Sequence, residues 1–123
     1  MPKIARFEEI EAWKKARVLV KDVYSISNVG GFAKDFGLRD QIRRAPVSIM
    51  LNIAEGFARK TSREFCQFLV IAHGSVAEVQ AALYVALDQS YITGEQFKKL
   101  YNIADETSKM IMGFSSYLGK LKS

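Results

Sequence analysis

Cysteine, histidine and proline are almost missing from this chain, and each shortage excludes something. One cysteine, Cys66, excludes an internal disulfide framework. A lone thiol in a mostly apolar run suits a reducing cytoplasm. The only histidine, His73, lies seven residues after Cys66. Two helical turns separate them, about 10 Å of rise, which is too far for a hydrogen-bonded Cys/His nucleophile. Two ligands alone cannot build a zinc site either, so no metal is expected. His73 stands beside Gly74 and reads as a packed or interface residue. Gly30-Gly31 lacks the following lysine and the strand context of a phosphate-binding loop. Glu55 and Glu64 have no spacing that marks an acid–base pair. We therefore expect no catalytic residues, no cofactor and no enzyme.

Long apolar runs are also absent. No stretch holds about 18 uninterrupted apolar residues, as a membrane helix would, and the N-terminus has no signal-peptide core. The expectation is a cytoplasmic protein with no membrane partner. The 123 residues fit one domain, able to bury roughly two thirds of its unfolded surface. Period-2 alternation of useful length is missing, which argues against strands.

Helical spacing fills the space that is left. Breaker residues cluster at residues 28–31, 60–62 and 91–94. They divide the chain into helices over residues 7–27, 37–58, 62–89 and 94–119. The first carries Ile10, Trp13, Ala16, Val20 and Val23 on one face, with Glu8, Glu9 and Glu11 in a first turn where the helix dipole favours negative charge. The second carries Leu38, Ile42, Ala45, Ile49 and Ile53. Thr61 with Glu64, and Thr93 with Gln96, have the spacing of capping boxes. The basic tail over residues 118–123 is expected to fray. Long helices with short links predict an antiparallel up-down-up-down four-helix bundle.

The third helix is too apolar for a solitary bundle. Of the 23 residues from 65 to 87, 17 are apolar, whereas a core-facing helix needs only about a 100° stripe. Its polar stripe is narrow: Glu64, Gln67, Ser75, Glu78 and Gln89. A second copy of the chain is the simplest cover for the excess, so a homo-oligomer is expected.

The second helix has the opposite peculiarity. The stretch QIRRAPVSIMLNIAEGFAR sets polar residues among aliphatics and a proline at position 46. Pro46 deprives the Ile42 carbonyl of its helical donor, so a kink is predicted near residues 42–46, with Arg43 or Ser48 satisfying that carbonyl. Asn52 and Glu55 share a face. A buried carboxylate must be paired, so Arg43 or Arg44 with Ser48, Asn52 and Glu55 is expected to form one structural polar network. Gly56 and Gly74 are expected to permit close helix approach.

Net charge is +5 and the isoelectric point about 9.4, which favours an anionic partner. Arg39, Arg43 and Arg44 cluster early in the second helix; Arg59, Lys60 and Arg63 straddle the next turn. These six are the candidate nucleic-acid-binding residues, with Tyr24, Tyr91, Tyr101 and Tyr117 as candidate stacking surfaces. The bland reading is also written in the sequence. Asp40 and Glu55 stand four residues before Arg44 and Arg59, as in ordinary ion pairs.

The stretch over residues 37–78 resembles the bacterial four-helix bundle protein family, whose founding members are encoded by intervening sequences in 23S ribosomal RNA genes. The matching pieces are Gly37-Leu38, Gln41-Ile42-Arg43-Arg44-Ala45, Val47-Ser48-Ile49, Asn52-Ile53-Ala54-Glu55-Gly56, Arg59, Glu64-Phe65, Phe68-Leu69, Ala72, Gly74-Ser75 and Glu78. Upstream, Trp13, Ala16 and Val23-Tyr24 fit as well. The resemblance implies a four-helix bundle assembled as a ring-like homopentamer, with a kinked second helix. Together with the basic clusters and the missing catalytic signals, the family's genetic setting leads to the expectation of a non-enzymatic nucleic-acid-binding or accessory protein, with RNA or DNA as partner. The alternative is a scaffold ring that organises another protein without touching RNA.

Overall fold

The computed structural model describes residues 4–121 and is all-helical there. Five α-helices follow a short 3-10 turn at Phe7–Glu9: α1 Glu11–Ile26, α2 Gly30–Lys34, α3 Phe36–Phe57, α4 Ser62–Asp88 and α5 Gly94–Gly119. The four long helices correspond to the four expected from spacing, and they pack as a helical bundle. α3 packs on α4 and α1, and α5 packs on α4 and α1. Ser48 meets Ser75 and Phe57 meets Phe65 across α3 and α4. Cys66 meets Ser115, and Tyr84 meets Phe97, across α4 and α5.

The core is aliphatic. Ala16, Leu19 and Val23 of α1, Ile42, Ile49 and Ile53 of α3, Leu69, Val76, Val79 and Leu83 of α4, and Leu100, Ala104 and Ile111 of α5 are fully buried or nearly so. Trp13, Val20 and Leu38, expected in the same stripes, are only half-buried.

Two expectations need correction at the ends of the first helix. It begins at Glu11, not residue 7, because Ile10 takes extended backbone and turns its side chain into the core. Glu8 and Glu9 therefore lie in the 3-10 turn. The linker after it is not a plain break either. Gly30 supplies a left-handed φ of 55° and opens α2, which buries Phe32. A single buried aromatic anchors this five-residue helix, too little periodicity to read from sequence.

Pro46 does not end α3. The helix runs unbroken from Phe36 to Phe57, with Pro46 buried inside it. Neither side chain expected to serve the Ile42 carbonyl does so. Arg43 turns to Ser27, while the Ser48 hydroxyl oxygen accepts from Asn52 and Ser75.

The caps follow their spacing. Thr93 and Gln96 form the full reciprocal box, at 3.1 and 2.9 Å. Thr61 accepts from the Glu64 N–H at 3.1 Å, but the Glu64 carboxylate accepts from the Thr61 hydroxyl instead of reaching back to the backbone. α5 holds through Gly119 and gives way to a turn at Lys120 and Leu121; residues 122–123 of the tail expected to fray lie outside those described.

One end of the bundle is held by a lock between turns. Asp35 Oδ1 accepts from the Leu38 N–H, capping α3, while its Oδ2 accepts from the Tyr91 hydroxyl at 3.0 Å. Tyr91 also stacks on Phe32, ring centroids 5.2 Å apart. The bond to Asp35, aided by burial, holds the Tyr91 hydroxyl above its ordinary pKa of 10.0. The protonated phenol is the bonded form, so its contribution is complete below about pH 10 and lost as pH rises through the raised value. Tyr91→Phe is expected to be less stable than the parent at neutral pH, the gap closing at strongly alkaline pH; thermal melts across that range check it.

Tyr91 is delivered by a Schellman turn. Its N–H bonds to the Ala86 carbonyl and the Ser90 N–H to that of Leu87, both at 2.9 Å. The turn requires φ of 61° at Ser90, a residue with a Cβ. Left-handed backbone costs an L-residue about 1–2 kcal/mol, part of which glycine returns as unfolded-state entropy. Ser90→Gly is therefore expected to stabilise the fold by up to about 1 kcal/mol, read from denaturant midpoints.

Candidate nucleic-acid interface

The six cations fall into two groups, near the start of α3 and at the α3–α4 turn. About 16 residues of helix separate Arg43 from Arg59, so the groups stand roughly 24 Å apart along the bundle. They are not equivalent in their bonding.

Arg39 is committed to its own fold. Its Nη1 donates to the Ala33 carbonyl at 3.0 Å, its Nε approaches Asp40 at 3.4 Å, and its guanidinium lies over Phe36. That contact displaces the expected Asp40–Arg44 pair, and Arg44 stays exposed without an ionic partner among the described residues. Arg43 donates through Nε to the Ser27 hydroxyl at 2.8 Å and lies 4.5 Å from the centroid of Tyr24. Arg59 forms the expected ion pair with Glu55 at 3.0 Å and covers Phe68. Both members are well exposed, so the pair contributes little stability. Lys60 and Arg63 are exposed, again without an ionic partner among the described residues.

The single polar network expected from Arg43, Arg44, Ser48, Asn52 and Glu55 is divided. Asn52 Nδ2 donates to the Ser48 carbonyl at 2.8 Å and to the Ser48 hydroxyl at 3.1 Å. Ser75 donates to the same hydroxyl at 3.0 Å, linking α3 to α4. Glu55 faces outward to Arg59, and Arg43 faces α1. The reason is helical phase. At 3.6 residues per turn, nine residues place Arg43 and Asn52 on opposite sides of α3.

α4 carries the other surface. Ser75, assigned to its polar stripe, is only 4% exposed and serves the Ser48 link. The solvent face holds Val70, Ile71, Gly74, Ala77, Ala81, Tyr84 and Val85, with Val70 69% exposed, and Gln67 and Glu78 are the polar residues exposed among them. Leu51 on α3 is 64% exposed. By length and composition α4 is the one helix among the described residues apolar enough to cross a membrane, with mean hydropathy 1.5. Its inner side nonetheless packs on α3 and α5, so its hydropathy sums a core face and an uncovered face.

The named tyrosines separate too. Tyr91 stacks on Phe32, Tyr101 joins Tyr84 and Phe97, and Tyr117 stacks on Phe114. Tyr24 is 44% exposed. Cys66 donates to the Ser115 carbonyl at 3.7 Å, and His73 is half-buried. No three of His, Cys, Asp and Glu cluster in a metal-holding arrangement among the described residues. Ser27 is the participant that spacing gave no means of finding, since its partner Arg43 lies sixteen residues on, in another helix.

These features define an all-α bundle protein with two basic groups and an uncovered apolar helix face. The chain belongs to the 23S rRNA-intervening sequence protein family, whose model matches residues 8–113, as its resemblance implied. Its fold is similar to the crystal structure of a protein with unknown function from the S23 ribosomal protein family of Bacteroides thetaiotaomicron VPI-5482. The TM-score is 0.76 at 24% identity, over 85% of this chain and 97% of that one. No protein of curated function matches the chain.

Proposed function

We propose that this protein is a non-enzymatic, cytoplasmic homo-oligomer that binds nucleic acid, acting as an accessory protein. The observation that carries the reading is the outer face of α4. Four turns of mostly apolar exposed side chains, interrupted by Glu78, are what a helix shows when another copy covers it. The up-down-up-down order is supported by the paired contacts of α3 with α4 and of α4 with α5. A ring-like homopentamer is the assembly the family resemblance implies.

Assembly gives the basic groups their weight. Arg44, Lys60 and Arg63 carry charge that no carboxylate among the described residues neutralises. Lys60 and Arg63 also flank the N-terminus of α4, where the helix dipole adds positive potential. A few cations per subunit bind weakly; repeated around an assembly, they engage several phosphates at once. Arg39 and Arg59, already bonded within the subunit, contribute less.

Light scattering with added ribosomal RNA fragments tests the reading. The expected result is an oligomer that gains RNA mass at low salt and releases it as salt rises. Joint neutralisation of Arg44, Lys60 and Arg63 should flatten the salt dependence by about 0.7–0.9 in log–log slope for each phosphate that is no longer neutralised. An oligomer indifferent to RNA at low salt would refute nucleic-acid binding.

One observation favours a scaffold role instead. A cleft of about 500 Å³, lined by Ile10, Ala12, Met110, Phe114 and Tyr117, is apolar and open. It lies between α1 and α5, away from the α4 face, where a protein segment could dock after assembly. Retained apolar-dye binding by the intact oligomer, without RNA binding, would favour that reading.

A further inference from the structure

Arg43 is anchored unlike the other arginines of the candidate interface. Arg39 and Arg59 are held by carboxylates. Arg43 is held by a hydroxyl: its Nε donates at 2.8 Å to Ser27, which is completely buried and whose own proton goes to the Val23 carbonyl at 2.7 Å. The Tyr24 ring supports the guanidinium plane from 4.5 Å. A carboxylate anchor would orient a guanidinium and cancel its charge. A serine and an aromatic face orient it and leave the charge intact.

The two Nη groups make no hydrogen bond to any described residue. Arg43 lines a shallow groove of about 300 Å³ together with Tyr24, Asp40, Arg44 and Val47. Asp40 is the one carboxylate in that lining, and it sits 3.4 Å from Arg39 Nε. Arg44 stands exposed on the next residue.

We propose that this groove is a phosphodiester seat for single-stranded nucleic acid: Arg43 presents a fork to two phosphate oxygens, Arg44 adds a second charge, and the exposed edge of Tyr24 takes the adjoining base or sugar. Ser27 is a positioning residue that never touches the ligand. The fork matches the planar pair of oxygens on a phosphate, and an unpaired base offers a stacking face that a duplex withholds. The inference rests on the nucleic-acid reading above and names which of the six cations forms its centre.

The test uses the full chain, a labelled single-stranded RNA and the same strand as a duplex. Arg43→Lys keeps the charge and removes the fork; Ser27→Ala keeps Arg43 and removes its anchor. Each is expected to weaken single-strand binding about tenfold with the salt slope unchanged, because the net charge stays the same. Arg44→Ala should lower affinity and reduce the slope by about 0.7. Tyr24→Leu should reduce the preference for single strand over duplex. Arg43→Lys removes no buried group, so it remains decisive if Ser27→Ala folds poorly. Parent-like binding by Arg43→Lys would overturn the seat while leaving nucleic-acid binding intact. If the parent binds no RNA, the broader reading fails, and inorganic phosphate then tests the seat alone. A saturable shift of the Arg43 Nε–H resonance, weakened in Ser27→Ala, would uphold an anion seat for another phosphoester; no shift would overturn it.

Discussion

Val70→Asp combined with Ala81→Asp is expected to leave the bundle folded and reduce the protein to a monomer. Both positions lie on the outer face of α4, three turns apart, and neither side chain belongs to the core. In an isolated subunit the new carboxylates meet water, and surface changes of this kind usually fall within about 0.5 kcal/mol. In an assembly covered along α4, each would be an unpaired charge removed from water, a penalty of several kcal/mol. The divergence separates two explanations of the apolar face. If alanine and valine there merely tolerate exposure, solution mass does not change. If another copy covers them, mass falls to that of one chain while the helical circular dichroism spectrum is retained. Loss of the spectrum together with the mass would place these residues in the subunit's own stability.

Gly56→Ala is expected to destabilise the subunit by about 1–3 kcal/mol, and Gly74→Ala to leave it equal or better. Both glycines sit inside long helices, where spacing alone assigns each to close helix approach. Only Gly56 serves that purpose within the subunit. A Cβ there would stand 2.6 Å from Phe65 Cδ1 and 2.9 Å from Phe68 Cβ. The latter atom is fixed to the α4 backbone, so α3 and α4 must separate. Overpacking of this kind costs about 1–3 kcal/mol, more than the roughly 1 kcal/mol that alanine gains in helix propensity. At Gly74 a Cβ meets nothing within 4 Å. The propensity gain then stands alone, and the expected change is about 1 kcal/mol toward greater stability, measured in dilute solution. If a second copy approaches closely at that point, Gly74→Ala weakens assembly while strengthening the subunit. Urea titrations at low and high protein concentration distinguish the two effects.

The parts legible in the sequence were those governed by local rules. Ile42, Ala45, Ile49 and Ile53 recur at helical spacing, and all four are buried. Thr61 and Thr93 sit where an N-cap must sit, and each accepts from the backbone three residues on. Breaker clusters separated the long helices because glycine and turn residues act within one or two positions. The excess apolarity of the α4 segment was also visible, since it needs only a count around the circumference.

What stayed hidden depended on which face meets which neighbour. The polar residues of α3 look like one network in a linear reading, yet helical phase sends Arg43 to α1 and Glu55 to solvent, and leaves Asn52 bonded to Ser48, which meets Ser75 of α4. Composition could not show that Ile10 would leave helical backbone to fill the core, nor that one phenylalanine would hold α2 in place. The sequence by itself determined the number of the long helices, their apolar faces and the positive charge, because periodicity, caps and composition act over a few residues. Tertiary structure alone decided which glycine lies at a helix contact, which arginines are neutralised and that Ser27 holds Arg43, because each outcome depends on atoms brought together from distant turns of different helices.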